Sequence, residues 1–245
     1  MTTSTIVAVT SGKGGTGKST FSINLAIAAA KEAAPVLLID MDAGMRCLDL
    51  LLSVSESVVM DVSDVVNGAD LSSSVIPVGK FSGLYLLPAP SSIGLVNPEK
   101  FSRFINKIRD DYSLIIIDFP AGSDYTLYKE LPRDTRFVCI CTPDPVSVRD
   151  ASLCGKAIRA MDRHGWLVIN KYAYEYIENH FFKNIDDIIN ETGLQLLGIV
   201  PLSYKFYCAF NTGAFPKRGK EAKAFSRIYK RINGKSIPLP KLKKI

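Results

Sequence analysis

The sequence contains no apolar run approaching the roughly 18 to 20 residues of a membrane-spanning helix, and it does not begin with a basic stretch followed by an apolar core. A cytosolic protein is therefore expected. Histidine is scarce: His164 and His180 stand in polar surroundings with no companion residues patterned for metal or nucleophilic chemistry. The five cysteines (Cys47, Cys139, Cys141, Cys154 and Cys208) are odd in number and widely spaced, with no C-x-x-C. That argues against a disulfide framework, a zinc site or an iron–sulfur cluster. Cys139 and Cys141 sit two apart in an apolar run and so face one side of a strand, where packing explains them better than cluster bridging. There is no internal repeat, and no stretch rich enough in Gly, Ser or Pro to act as a linker. Residues 1–245 are expected to form one domain.

The chain is 47% apolar and 22% charged, a globular composition with enough apolar material for a large core. Its formal charge of +6 is unevenly spread. Residues 217–245 hold 11 Lys or Arg and one acid, Glu221, while the rest holds 19 basic and 23 acidic residues. A mildly acidic body thus carries a strongly basic C-terminal segment.

Short β-branched runs alternate with helix-length segments, the pattern of βαβ units around a buried parallel sheet. The candidate strands are Ile6–Thr10, Val36–Asp40, Leu84–Pro88, Leu114–Asp118, Phe137–Cys141, Trp166–Asn170 and Leu196–Val200. Helices are expected over Lys18–Ala33, Pro98–Asp110, Val146–Met161, Phe181–Thr192 and Lys220–Ile232, with Val148, Leu153, Ala157 and Ile158 inward on the third. Between Ser53 and Gly83 only a short helix near Asp61–Val66 and a Ser-rich turn, Ser72–Ser74, are expected. The fold class is α/β: a doubly wound, mostly parallel sheet of seven or eight strands with helices on both faces.

Directly after the first strand, Gly12-Lys13-Gly14-Gly15-Thr16-Gly17-Lys18-Ser19-Thr20 matches G-x-x-x-x-G-K-[ST] between a strand and a helix, the context that motif requires. Such a loop curls successive backbone N–H groups around a phosphate, and the helix N-terminus adds partial positive charge. Lys18 is expected on the β and γ phosphates of ATP, Ser19 on Mg2+ and Thr20 at the α-phosphate. Two strands end in acids where open parallel sheets bind ligands. Leu37-Leu38-Ile39-Asp40-Met41-Asp42 places carboxylates at i and i+2, and Leu114-Ile115-Ile116-Ile117-Asp118 closes an apolar run as a Walker B strand does, so Asp118 is a Mg2+ ligand candidate.

The second lysine, Lys13, makes the loop resemble the deviant Walker A motif of the MinD/ParA class of ATPases. Several other segments extend that resemblance to the MinD proteins. Asp40-Met41-Asp42-Ala43-Gly44-Met45-Arg46-Cys47-Leu48-Asp49 looks like their switch I, with Cys47 in place of the usual Asn. Asp118-Phe119-Pro120-Ala121-Gly122 is similar to their switch II, Gly83-Leu84-Tyr85-Leu86-Leu87-Pro88-Ala89 to N-L-Y-L-L-P-A, and Val146-Ser147-Val148-Arg149-Asp150 to V-x-S-V-R-D. The resemblance implies an ATPase that forms a homodimer when ATP-bound, with Lys13 reaching the partner's nucleotide, Asp42 orienting water and Asp40 near the Mg2+ shell. It also implies adenine contacts from Asn170 and Pro201, slow hydrolysis stimulated by a protein partner, and a role in spatial regulation such as division-site placement.

For the basic segment three readings stand: the solvated side of a last core helix, contact with an anionic membrane at the inner face of the cell, or contact with DNA phosphates as in ParA-like partitioning proteins. After Lys235 two prolines leave too little chain for a stable amphipathic helix. An amide-forming ligase of the same superfamily is the remaining alternative; such ligases generally lack the D-x-D-x-G-x-R switch.

Overall fold

A computed structural model of the protein describes residues 4–122, 126–179 and 184–245. Eight strands form a single sheet: β1 Thr5–Thr10, β2 Val36–Asp40, β3 Ile76–Pro77, β4 Leu84–Leu87, β5 Leu114–Asp118, β6 Arg136–Cys141, β7 Gly165–Tyr172 and β8 Gln195–Pro201. Their spatial order is β3-β4-β2-β5-β1-β6-β7-β8. All neighbours are parallel except β3, which pairs antiparallel with β4. The helices are α1 Lys18–Glu32, α2 Leu48–Leu51, α3 Val62–Val66, α4 Leu71–Ser74, α5 Pro98–Ile108, α6 Thr126–Glu130, α7 Pro145–Ala160, α8 Tyr174–Glu178, α9 Ile185–Thr192, α10 Tyr204–Thr212 and α11 Lys220–Ile232.

Between their ends the central strands are apolar on successive residues, because helices cover both faces of the sheet. Alternate side chains enter different layers. Ile6, Ala8, Ile115 and Ile117 join Phe101 and Ile105 of α5 and Val148 and Ile158 of α7 on one side. Val7, Val9, Leu38 and Ile116 join Phe21 and Leu25 of α1 and Phe225, Ile228 and Ile232 of α11 on the other. Burying a Val-, Leu- or Phe-sized side chain contributes roughly 1.5 to 3 kcal/mol relative to exposure, so these layers dominate the stability of the fold.

All seven expected strands are present, and the eighth is the two-residue edge strand β3. Ser72–Ser74 is the helical turn α4 and not a simple turn, and Leu153 of α7 faces solvent. Val148 and Ile158 point inward as expected, while Ala151 and Cys154 complete the buried face in place of Leu153 and Ala157. Cys139, Cys141 and Cys154 are buried together in the core. The start of the helix expected from Phe181, and His180, lie outside the described residues. No helix among the described residues is long and apolar enough to cross a membrane.

Candidate nucleotide-binding site

Three chain segments meet at the C-terminal ends of β1, β2 and β5. Val9 is in register with Asp118, and Asp118 with Asp40, so the loop after β1 and both strand-ending carboxylates lie at one level. The loop turns with Gly15 and Gly17 at φ 78° and 86°, a region that non-glycine residues enter only with strain. Gly17 leads straight into α1, whose first residue is Lys18.

Lys18 Nζ lies 3.2 Å from Asp118 Oδ1, both side chains being buried. Ser22, one turn further along α1, donates to the same oxygen at 2.8 Å. The other carboxylate oxygen, Asp118 Oδ2, is buried with no hydrogen-bond partner, as is Thr16 Oγ1 in the loop. Orphaned buried acceptors are rare and call for an explanation such as an absent ion or ligand. Ser19 begins α1 beside Lys18 and is partly exposed.

Asp40 is 1% exposed and accepts from the backbone N–H of Asp42 at 2.9 Å and of Leu48 at 3.2 Å. Burial, and then the neighbouring Asp118 charge, push its pKa up from the ordinary 3.8 to about 7, against the pull of those two amides and Lys18. Folded Asp40 thus keeps a proton that the unfolded chain has lost, so this group's stabilising contribution declines as pH rises from about 4 to about 7 and levels off above. Unfolding free energies of the wild type minus those of Asp40→Asn, in buffer without nucleotide or divalent cation, should fall across that window. A difference that rises with pH would refute this description of the site. Cys47 is raised to about 11 by burial and then by Asp40, while a hydrogen bond with Ser19 works the other way.

Asp42 is more open, and its Oδ1 accepts from Met45 N at 3.2 Å. Lys13 reaches Asp144 Oδ1 at 3.0 Å, with both side chains about one-third exposed. Asp144 caps α7 by accepting from Ser147 N at 3.0 Å and receives the Thr142 hydroxyl at 2.5 Å. Burial opposes ionisation of Asp144, but the Thr142, Ser147 and Lys13 contacts together hold its pKa below the usual value. Gly12 lies against α7 as well: a Cβ there would stand 2.5 Å from the backbone of Asp150.

On the far side of the loop, Asn170 Nδ2 donates to Thr16 O at 2.7 Å and Lys171 Nζ to Gly15 O at 2.6 Å. Asn170 and Pro201 border a cavity of about 400 Å³, together with Gly15, Gly17, Thr20 and Phe206. The volume suits a small-molecule ligand. Sequence reasoning missed Ser22, Lys171, Asp144 and α10, which brings Phe206 and Tyr207 to the cavity. All act through contacts more than 90 residues away in sequence or through a helix with no clear apolar period, and only the hydroxyl one turn after Lys18 left a local sign.

A glycine loop between strand and helix, a buried lysine at its end and two carboxylates at neighbouring strand ends define a P-loop nucleotide-binding protein. Residues 7–216 match the CobQ/CobB/MinD/ParA nucleotide binding domain, and the chain belongs to that family. It is 33% identical over 245 residues to the septum site-determining protein MinD of Helicobacter pylori, covering 95% of this chain and 91% of that protein. It superimposes on the MinD cell division protein of Aquifex aeolicus with a TM-score of 0.86 at 26% identity, over 97% of this chain and 100% of the other. The MinC:MinD cell division protein complex of Aquifex aeolicus gives 0.87 at 28% identity, over 97% and 99%.

Proposed function

We propose that the protein is a MinD-type ATPase acting in division-site placement, a switch whose output is an ATP-dependent homodimer. The observation that carries this reading is the buried Lys18–Asp118 pair at the mouth of the loop, in a chain similar to MinD proteins along nearly its whole length. ATP binds with its phosphates in Gly12, Lys13, Gly14, Gly15, Thr16, Gly17, Lys18, Ser19 and Thr20. Its base lies in the cavity beside Pro201 and Asn170, whose amide oxygen has no bond within the described chain. Lys18 leaves Asp118 for the β and γ phosphates, and Asp42, the more open of the two switch acids, orients the attacking water.

A magnesium ion suits the donors present, since two carboxylates and a hydroxyl are hard oxygen ligands and Asp118 Oδ2 has no other partner. Ser19, Asp40 and Asp118 would hold it, and when bound it supplies positive charge to the phosphate oxygens. Lys13 exchanges Asp144 for the nucleotide of a second subunit. A protein partner binds this chain, as MinC does MinD in the complex from Aquifex aeolicus, and in this reading a partner also stimulates turnover. The body is cytoplasmic, and the basic segment 217–245 contacts an anionic surface, a membrane in this reading.

Lys13→Ala and Asp42→Ala should each bind ATP with affinity near wild type and lose turnover by about 10²-fold or more, the scale of removing one transition-state contact. Nucleotide titration paired with phosphate release, and sedimentation with ATP and ADP, give the readout. Unchanged turnover in both variants, or a monomer with either nucleotide, would overturn the mechanism.

A further inference from the structure

Nucleotide handling uses the C-terminal ends of the strands. At the opposite end, where β1, β6, β7 and β8 begin, lies a trough of about 970 Å³ lined by Arg133, Arg136, Arg159, Arg163 and Arg231. Only two acids, Asp134 and Asp162, share the lining, and Asp134 is already ion-paired with Arg109. Among the described residues none of the five arginines has a carboxylate within ion-pairing distance; the arginines that do are Arg46, Arg103, Arg109 and Arg149. Four of the five belong to the mildly acidic body of the chain, so the concentration does not follow from the basic segment.

Four of the five guanidiniums are held in place without being neutralised. Arg163 donates to Pro132 O at 2.7 Å and Leu131 O at 2.5 Å, Arg159 to Gly193 O at 2.8 Å, Arg231 to Leu197 O at 2.7 Å, and Arg136 to Ile232 O. Arg136 also lies 5.7 Å above the Trp166 ring. A carbonyl fixes a guanidinium's direction but carries no charge, and each fork keeps N–H donors to spare. Arg163, 7% exposed, is lowered first by burial and next by the Arg133 charge, so the cluster is under mutual repulsion. Ser4 and Thr135 also line the trough, both more than nine-tenths buried, and neither hydroxyl has a hydrogen-bond partner.

We infer that this trough is a second anion site, taking a small ligand that carries two or more linked phosphates. Preoriented forks without counter-ions match phosphate oxygens bidentately, and the unpartnered hydroxyls supply further donors. Five arginines against two aspartates leave a surplus of three positive charges, more than one carboxylate or one phosphate monoester balances. The volume is at the upper end for small-molecule sites and exceeds a single phosphate. Arg163 and the two hydroxyls lie too deep for the backbone of a convex duplex, which favours a small molecule over nucleic acid.

The test uses the full chain saturated with a fluorescent ADP and Mg2+, so that the loop is occupied and its occupancy is visible, with tripolyphosphate as the probe. Calorimetry should show saturable binding while the ADP signal stays constant. Arg133 is exposed and has no hydrogen bond among those of the described residues, so Arg133→Gln should fold normally and turn over ATP as the wild type does. It should nevertheless bind the probe about tenfold or more weakly, the scale of one hydrogen bond to a charged group, and Arg133→Lys should recover part of that loss. Absence of saturable binding, equal affinity in Arg133→Gln, or displacement of the ADP as the sole response would overturn the inference. So would duplex DNA displacing the probe at lower concentration, which would assign the face to nucleic acid.

Discussion

Lys18→Met should abolish ATP turnover and also cost on the order of 3 to 5 kcal/mol of stability, because it leaves Asp118 buried without its cation. The two losses have different origins, and a second substitution separates them. In Lys18→Met/Asp118→Asn the uncompensated charge is gone, so much of the stability should return while turnover stays at background. Chemical denaturation without nucleotide measures the first quantity, and phosphate release under saturating ATP the second. A single variant as stable as the wild type would mean that Lys18 and Asp118 are not a buried pair. Turnover surviving in it would mean that the loop is not where ATP is hydrolysed.

Gly12→Ala should damage the packing of the loop against the rest of the protein. Its new Cβ would lie 2.5 Å from Asp150 C, O and Cβ, backbone and near-backbone atoms of α7 that cannot swing aside as a side-chain tip would. The loop must lift from α7 or the helix must shift, at roughly 1 to 3 kcal/mol or more for an overpacked contact, and Lys13 loses its alignment with Asp144. Gly14→Ala is the control, since a Cβ there meets nothing within 4 Å and its φ is not left-handed. Its stability should stay within about 0.5 kcal/mol of wild type. Equal melting temperatures for the two variants would show that the loop does not rest on α7 as described.

Much of this architecture was legible because it obeys local rules. A central parallel strand buried on both faces is a continuous apolar run, and β1, β2, β5 and β6 read as that in the sequence. The phosphate loop is a contiguous motif, and Asp40 and Asp118 end their strands where the sheet's own geometry places ligands. What escaped depends on chain closure. β3 has two residues, one of them Pro77, and forms only because β4 offers an edge. Helix α10 packs Ala209 inward and leaves Tyr204 and Tyr207 exposed, so no apolar stripe announces it. The braces on the loop, Asn170 and Lys171, stand 154 and 156 residues from their acceptors. Leu153 was misassigned because α7 turns Cys154, a small thiol, to the core in its place.

The covering of α1 by α11 bears on where the folding unit ends. Phe225 stands 5.5 Å from Phe21 between ring centroids and also borders the cavity beside the loop. Ser226 and Lys230 both hold Glu32 at the end of α1, and Ile228 fills the space over Gly198 of β8. The family match stops at residue 216, short of α11, which begins at Lys220. A fragment trimmed to that boundary would keep every phosphate-binding residue and yet uncover the part of the α1 layer that α11 shields, leaving Phe21, Leu197 and Val200 as sticky surface. The family model thus covers less of the chain than the packed fold does, and α11 belongs to the nucleotide fold as fully as the loop does.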